Sequence, residues 1–289
     1  MALFGPRRIG LALGSGAARG LAHIGVLKVL ETEGLAPDVI TGTSIGALVG
    51  AFYAAGVPIA DIESIALGFD LKVVTGVSEL ALGEGAVLSG EKVQAFLREH
   101  LPATFEELGL PFGCVATDIT RNQAVRFTTG DLIGAVRASV SVPLAFVPVR
   151  IGDMLLIDGF VCDPVPVDFA RSLGAQTIVA VDVFGSGTVV MPETEPKHAA
   201  VEVIRELRAT IKNGLIYQRG VSSIDILGAV SEAFEARVAE PSLRRAQVVI
   251  SPDVHHLTGF SFGEAAAAIR AGEKAARAAV DSIRKRSRR

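Results

Sequence analysis

Tryptophan is absent from this 289-residue chain and only two tyrosines occur, so the aromatic platforms on which single-stranded nucleic acid stacks are missing. Charge is also sparse. Charged residues make up 20% of the chain and the formal net charge is −3, which removes the basic footprint of a nucleic-acid binder. Two cysteines, Cys114 and Cys162, make neither a disulfide framework nor a metal site, and a reducing cytoplasm is the expected compartment. No metal and no cofactor are expected. The Gly- and Ala-rich apolar run from Gly46 to Val57 falls well short of the roughly 20 residues that span a bilayer. Arg7 and Arg8 precede an apolar run, but Gly10, Gly14 and Gly16 interrupt it and no cleavage-site pattern follows, so no signal peptide is expected.

What the chain does have is apolar mass. Hydrophobic residues reach 49% and the mean hydropathy is +0.45, enough for a sizeable buried core. The region between Val183 and His198 reads as a loop around Pro192 and Pro196 rather than a linker, so residues 1–289 are expected to form a single domain. Its core runs over about 8–185, followed by a helical part over 198–283 and a basic, solvated, disordered tail over 284–289 that offers a weak attraction to anionic lipid heads.

The most informative stretch runs from Asp38 to Ala54. A short apolar strand (Val39, Ile40) turns through Gly42-Thr43-Ser44-Ile45-Gly46 and continues as a small, apolar helix. In G-x-S-x-G the glycines allow close backbone approach, and the serine is set on a strained turn at a helix N-terminus. The helix dipole there favours a nucleophilic oxygen and the oxyanion it creates. Ser44 is therefore the candidate nucleophile, with Gly42 and Gly46 shaping the elbow. The competing reading is an ordinary turn with Thr43 or Ser44 as N-cap.

A second glycine-rich loop, Gly14-Ser15-Gly16-Ala17-Ala18-Arg19-Gly20, joins the strand at Arg8–Leu13 to a helix at Leu21–Glu33. A dinucleotide site is the rival, but the spacing is G-x-G-x-x-x-G and the next strand ends in a serine, not an acid. If both loops follow adjacent parallel strands, they open on the same sheet edge, and N–H groups of Gly14, Ser15, Gly16 and Ala17 can hold an oxyanion formed at Ser44. Arg19 closes this loop and either supports it by hydrogen bonds or meets a phosphate head group. His23, one turn into the helix, reads as structural.

Further along, the pattern predicts helices at Pro58–Phe69 and from Ser89, a loop over Thr75–Gly90, strands at Pro111–Thr117 and Ala124–Thr128, and a helix over Asp131–Ser139. Val147–Ile151 and Met154–Ile157 form a hairpin around Gly152-Asp153. That hairpin delivers Asp158 to the end of an apolar strand, where partial burial raises its pKa and makes it a proton acceptor for Ser44. An Asp-Gly turn residue satisfying its own backbone is the alternative. Then come a helix from Pro164 to Leu173, a buried strand at Gln176–Val183, helices at His198–Arg219 and Ile224–Arg237, a strand at Ala246–Ser251 and a helix from Phe262 to Ser282. His255 and His256 follow Ser44 in an order that would suit a hydrolase triad.

The glycine loop, the G-T-S-I-G elbow and the strand-terminal Asp158-Gly159, in that order, resemble the patatin-like phospholipase family, particularly its small bacterial members. Arg19-Gly-Leu-Ala-His-Ile-Gly-Val-Leu27, Arg137-Ala-Ser-Val-Ser-Val-Pro143, Pro164-Val-Pro-Val-Asp168 and the Gly259-Phe-Ser-Phe-Gly-Glu264 stretch are similar to it as well. The resemblance implies a three-layer α/β/α fold around an open, mostly parallel sheet, and a serine–aspartate dyad without histidine or metal. It assigns Ser44 as nucleophile, Asp158 as base and the glycine loop as oxyanion hole, with lipid or acyl-ester substrates; the basic tail adds an expected peripheral contact at the inner membrane face. Ser15 and Ala17 stand where the family often has glycine, and Phe160 and Leu144 are bulkier than its usual residues. That bulk implies a narrowed acyl channel, a smaller substrate, or a lipid-binding protein with little catalysis.

Overall fold

A computed structural model describes residues 7–68, 89–143, 145–184, 223–257, 259 and 261–288. Eight strands form one mixed sheet: β1 (Ile9–Leu13), β2 (Val39–Thr43), β3 (Phe112–Asp118), β4 (Gln123–Phe127), β5 (Val149–Ile151), β6 (Met154–Asp158), β7 (Thr177–Val181) and β8 (Val248–Ile250). β3, β2, β1, β7 and β8 run parallel in that order, while β4 and β6 pair with β3 antiparallel and β5 pairs with β6. The sheet is thus open and mostly parallel, as the sequence predicts.

Its registers explain how the site is assembled. On one edge of β3, residues Cys114 to Asp118 pair with β4. On the other edge β2 reaches Val115 through Thr43, and β6 begins at the next residue, where Asp158 sits opposite Ala116. β2 runs parallel to β3 and β6 antiparallel, so the two strands share one edge in tandem and their C-terminal ends meet head-on. The strands deliver Ser44 and Asp158 to the same point.

Alternation along the parallel strands feeds two faces. Leu11, Leu13, Val179 and Val181 enter the larger core, packed under α1 (Ala22–Thr32), α2 (Ile45–Ala54), α3 (Ile59–Leu67), α4 (Glu91–His100), α5 (Leu132–Ser139) and α8 (Ala265–Ser287). Ala12, Ile178 and Ala180 enter a smaller core on the opposite face, with residues of α6 (Val167–Ser172) and α7 (Ser223–Leu243). The C-terminal helices are therefore layers of the sandwich, one on each face. α1 and α8 cross very closely: a Cβ on Gly25 would lie 1.9 Å from the Ile269 carbonyl oxygen, and one on Gly272 would lie 1.9 Å from that of Ala22.

Two expectations change. The basic stretch predicted as a disordered tail continues α8 through Ser287. Arg284 reaches the Glu33 carboxylate at 2.5 Å, Thr177 Oγ1 donates to the Arg286 carbonyl and Arg7 N–H to that of Ser287; tertiary partners compensate the like-charge repulsion that favours disorder. The helix expected from Pro164 starts only at Val167, because Ser15, Thr43 and Thr41 take the carbonyls of Pro164, Asp163 and Pro166 as hydrogen-bond acceptors. The helix predicted over His198–Arg219, most of the Thr75–Gly90 loop, Leu144 and Phe260 lie outside the described residues.

Candidate active site

Ser44 stands between β2 and α2 with φ 57° and ψ −124°, a backbone geometry that costs on the order of 1–3 kcal/mol for a residue with a Cβ. The flanking glycines make it attainable. A Cβ on Gly42 would lie 2.3 Å from the Gly46 carbonyl oxygen, and one on Gly46 would lie 2.3 Å from that of Leu13. Ser44 N–H donates to Ser139 Oγ at 3.0 Å, so the turn is tied to the end of α5. The residue is 6% exposed.

Ser44 Oγ donates to Asp158 Oδ2 at 2.6 Å. The other carboxylate oxygen accepts the N–H of Phe160 at 3.0 Å, and Asp158 N–H donates to the Ser141 carbonyl at 2.9 Å. Gly159 is needed at this junction, since a Cβ there would lie 2.4 Å from the Val115 carbonyl oxygen and 2.9 Å from Thr43 Cγ2. Asp158 is fully buried, and desolvation pushes its pKa up to about 7 against the opposing pull of the Ser44 and Phe160 hydrogen bonds.

The glycine loop lies alongside the elbow. Gly16 and Ala17 have φ 136° and 49°, and Gly16 is obligatory because a Cβ would lie 2.3 Å from Val183 Cγ2. Of the four predicted N–H donors, two are occupied: Gly14 donates to the Val181 carbonyl and Ser15 to that of Pro164. The main-chain connections that fix the loop to β7 and to the segment after Asp158 use those two groups. Among the described residues, the N–H groups of Gly16 and Ala17 have no acceptor. Arg19 is buried, donating from Nε to the Leu257 carbonyl at 2.8 Å and pairing with Glu232 at 3.0 Å, bonds that suit the loop-support reading.

His23 is also structural. Its fully buried ring meets the Gly14 carbonyl through Nε2 at 2.8 Å, which requires the proton on Nε2, and burial lowers its pKa to about 4. Neither His255 nor His256 hydrogen-bonds Ser44 or Asp158 in a site where the hydroxyl already reaches the carboxylate directly.

Four residues were not assigned roles from sequence. Ser139 and Ser141 hold Ser44 and Asp158 by the bonds above. Arg137, 1% exposed, braces Ser141 Oγ and the carbonyls of Ser89 and Val147 and stacks over Phe146. The closely spaced serines after a helix were the available signal. The fourth is Glu235, whose carboxyl accepts from Ser15 Oγ at 2.6 Å from 220 positions away; a charged residue on a helix otherwise reads as a solvated face.

Near the elbow, a small apolar cavity of about 50 Å³ lies between α1, α2, α3 and α4. Ile45, next to Ser44, and Leu48, Val49, Phe52, Ile62 and Phe96 are among its walls. Ser44 itself is not part of the lining. Among the described residues, no helix is long and apolar enough to cross a membrane.

The sequence also compares with known proteins. An uncharacterized NTE family protein of Mycobacterium tuberculosis is 33% identical over 204 residues, covering 70% of this chain and 56% of that one. Lysophospholipase NTE1 of Pyricularia oryzae is 34% identical over 181 residues, covering 61% of this chain and 12% of that one. The chain thus aligns with 56% of the length of the first of these relatives and 12% of the second. In three dimensions VipD from Legionella pneumophila superposes with a TM-score of 0.50 at 14% identity, covering 96% of this chain and 67% of that one, a likeness of fold. The model of the patatin-like phospholipase family matches residues 11–171, a span that includes the glycine loop, the elbow and Asp158, and the chain belongs to that family.

Proposed function

We propose that this chain is a serine acyl hydrolase acting on carboxylic esters of lipids through Ser44 and Asp158. The observation that carries the reading is the buried 2.6 Å hydrogen bond from Ser44 Oγ to Asp158 Oδ2. Ionised Asp158 takes the hydroxyl proton as Oγ bonds to the ester carbonyl carbon. The carbonyl electrons move to oxygen, and the N–H groups of Gly16 and Ala17 with the N-terminus of α2 stabilise the charge. Collapse of the tetrahedral intermediate expels the alcohol, which takes the proton from Asp158, leaving an acyl ester on Ser44. Asp158 then accepts a proton from water, which attacks that ester; a second collapse returns the proton to Ser44 Oγ and releases the acid.

A carboxylate is a weaker base than imidazole, and the burial that lifts Asp158 to about 7 brings it near the optimum for proton transfer at neutral pH. The apolar cavity lined by Ile45 suits part of an acyl chain, and each buried methylene contributes about 0.8 kcal/mol. A relative named as a lysophospholipase supports a lipid ester as substrate class.

Treatment with a fluorophosphonate ester mimic followed by mass spectrometry tests the assignment. The adduct is expected on Ser44 in the wild type and nowhere in Ser44→Ala; an adduct on another residue overturns it. Lipid binding without labelling or turnover would support a lipid-binding role instead.

A further inference from the structure

The glycine loop is held from an unexpected quarter. Two of its side chains are anchored by α7: Ser15 Oγ donates to Glu235 at 2.6 Å and Arg19 pairs with Glu232 at 3.0 Å. The two acids are three residues apart on one helix face, and both lie beyond residues 11–171 that match the family model. Glu235 is 8% exposed. A carboxyl group is costly to bury without a specific partner, yet this one points at the single hydroxyl in the loop. The loop needs such anchoring, because Gly16 and Ala17 both have positive φ and Ala17 has a Cβ that disfavours that conformation.

We propose that Glu235 is a positioning residue for the oxyanion loop, acting through Ser15, so that α7 completes the reaction centre from outside the family-matched segment. This rests on the hydrolase reading above. The tether sets Ser15, and with it the direction of the N–H groups on the next two residues, which have no acceptor among the described residues. The form of Glu235 also matters. Its carboxyl faces Asp158 from β6, Glu232 from its own helix and Arg19 from the glycine loop, and burial pushes it up to about 8. Neutral, it leaves the compartment to a single negative charge on Asp158. Ionised, it adds a second one where the oxyanion must form, so turnover declines as pH rises through this titration.

The experiment measures kcat and KM for p-nitrophenyl butyrate from pH 5.5 to 9.5, and the rate of fluorophosphonate labelling of Ser44, in wild type, Glu235→Gln, Glu235→Ala and Ser15→Ala, with melting curves as a folding control. Removing one oxyanion donor costs about 10²–10³ in rate. Misdirecting donors without removing them is expected to cost Glu235→Ala and Ser15→Ala about 10–100-fold in kcat and in labelling rate, with KM within about threefold. Glu235→Gln, which keeps an oxygen acceptor for Ser15, is expected to stay within about threefold of wild type and to lose the decline above about pH 8. If Glu235→Ala fails to fold, Glu235→Gln and Ser15→Ala decide. An active wild type with unimpaired Ser15→Ala or Glu235→Ala, or with an unchanged alkaline decline in Glu235→Gln, overturns the role of Glu235 while leaving Ser44 and Asp158 in place. A wild type that neither turns over nor labels at Ser44 overturns the underlying reading and this inference with it.

Discussion

The Ser44 hydroxyl and the Asp158 carboxylate, 114 positions apart in sequence, lie 2.6 Å apart in the fold because β2 and β6 arrive from opposite directions on one edge of β3 and stop at adjacent residues, Val115 and Ala116. Their contact is built into the strand registers and needs no loop to close over it. The same junction buries the carboxylate, and that burial raises its pKa to about 7.

Removing either partner should end turnover. Ser44→Ala is expected to reduce p-nitrophenyl ester hydrolysis to background, and Asp158→Asn to reduce kcat by about 10²–10⁴-fold, the usual worth of a positioned base. Replacing both His255 and His256 by alanine is expected to leave kcat within about threefold. Loss of activity in that double variant would restore a histidine-dependent triad.

On the acidic side, kcat/KM is expected to rise with pH through a midpoint near 7, as Asp158 ionises in the free protein. Stability moves the other way. Asp158 holds its proton more tightly folded than unfolded, so its contribution is fully present below about pH 4 and is lost as pH rises through 7, by up to about 1.4 kcal/mol per pH unit. Asp158→Asn escapes this loss. Denaturant unfolding should therefore show the variant gaining on wild type from pH 5 to pH 8, and an equal offset at both values would contradict the buried-carboxyl account.

The apolar cavity predicts a chain-length preference. Each added methylene in p-nitrophenyl esters should raise kcat/KM by up to about fourfold, corresponding to about 0.8 kcal/mol, until the cavity is full. Leu48→Trp, which fills it from α2, should flatten the series at shorter chains while leaving the acetate ester little changed. An unaltered series would place the acyl chain elsewhere.

The α1–α8 crossing predicts a stability effect remote from the chemistry. Gly25→Ala and Gly272→Ala each place a Cβ 1.9 Å from a backbone oxygen of the opposing helix, and neither helix can yield without moving its neighbours. Each is expected to lower unfolding free energy by about 1–3 kcal/mol, read from the denaturation midpoint. Gly34→Ala, whose Cβ would meet nothing within 4 Å, separates crowding from conformation: its cost should come from the φ of 65° alone and be about 1 kcal/mol.

The sequence by itself determined the local pieces. A five-residue strand running into G-T-S-I-G before a small apolar helix defines the elbow, because only glycine tolerates the 2.3 Å approaches at positions 42 and 46. The Gly152-Asp153 hairpin, with Asp158 at its end, is equally local, as is the glycine-rich loop at residues 14–20. What only the tertiary structure decided are relations between distant segments. The tandem pairing of β2 and β6 on β3 leaves no periodic trace, since each strand looks the same whichever edge it joins. Val181 and Pro164, far along the chain, occupy the N–H groups of Gly14 and Ser15 and leave those of Gly16 and Ala17. Glu33 and Thr177 turn the basic terminal stretch into the last turns of a helix. Glu235 follows the same logic: helix periodicity marks a charged residue as solvent-facing, and only the packing of α7 over the glycine loop gives its carboxyl the hydroxyl of Ser15 as a buried partner.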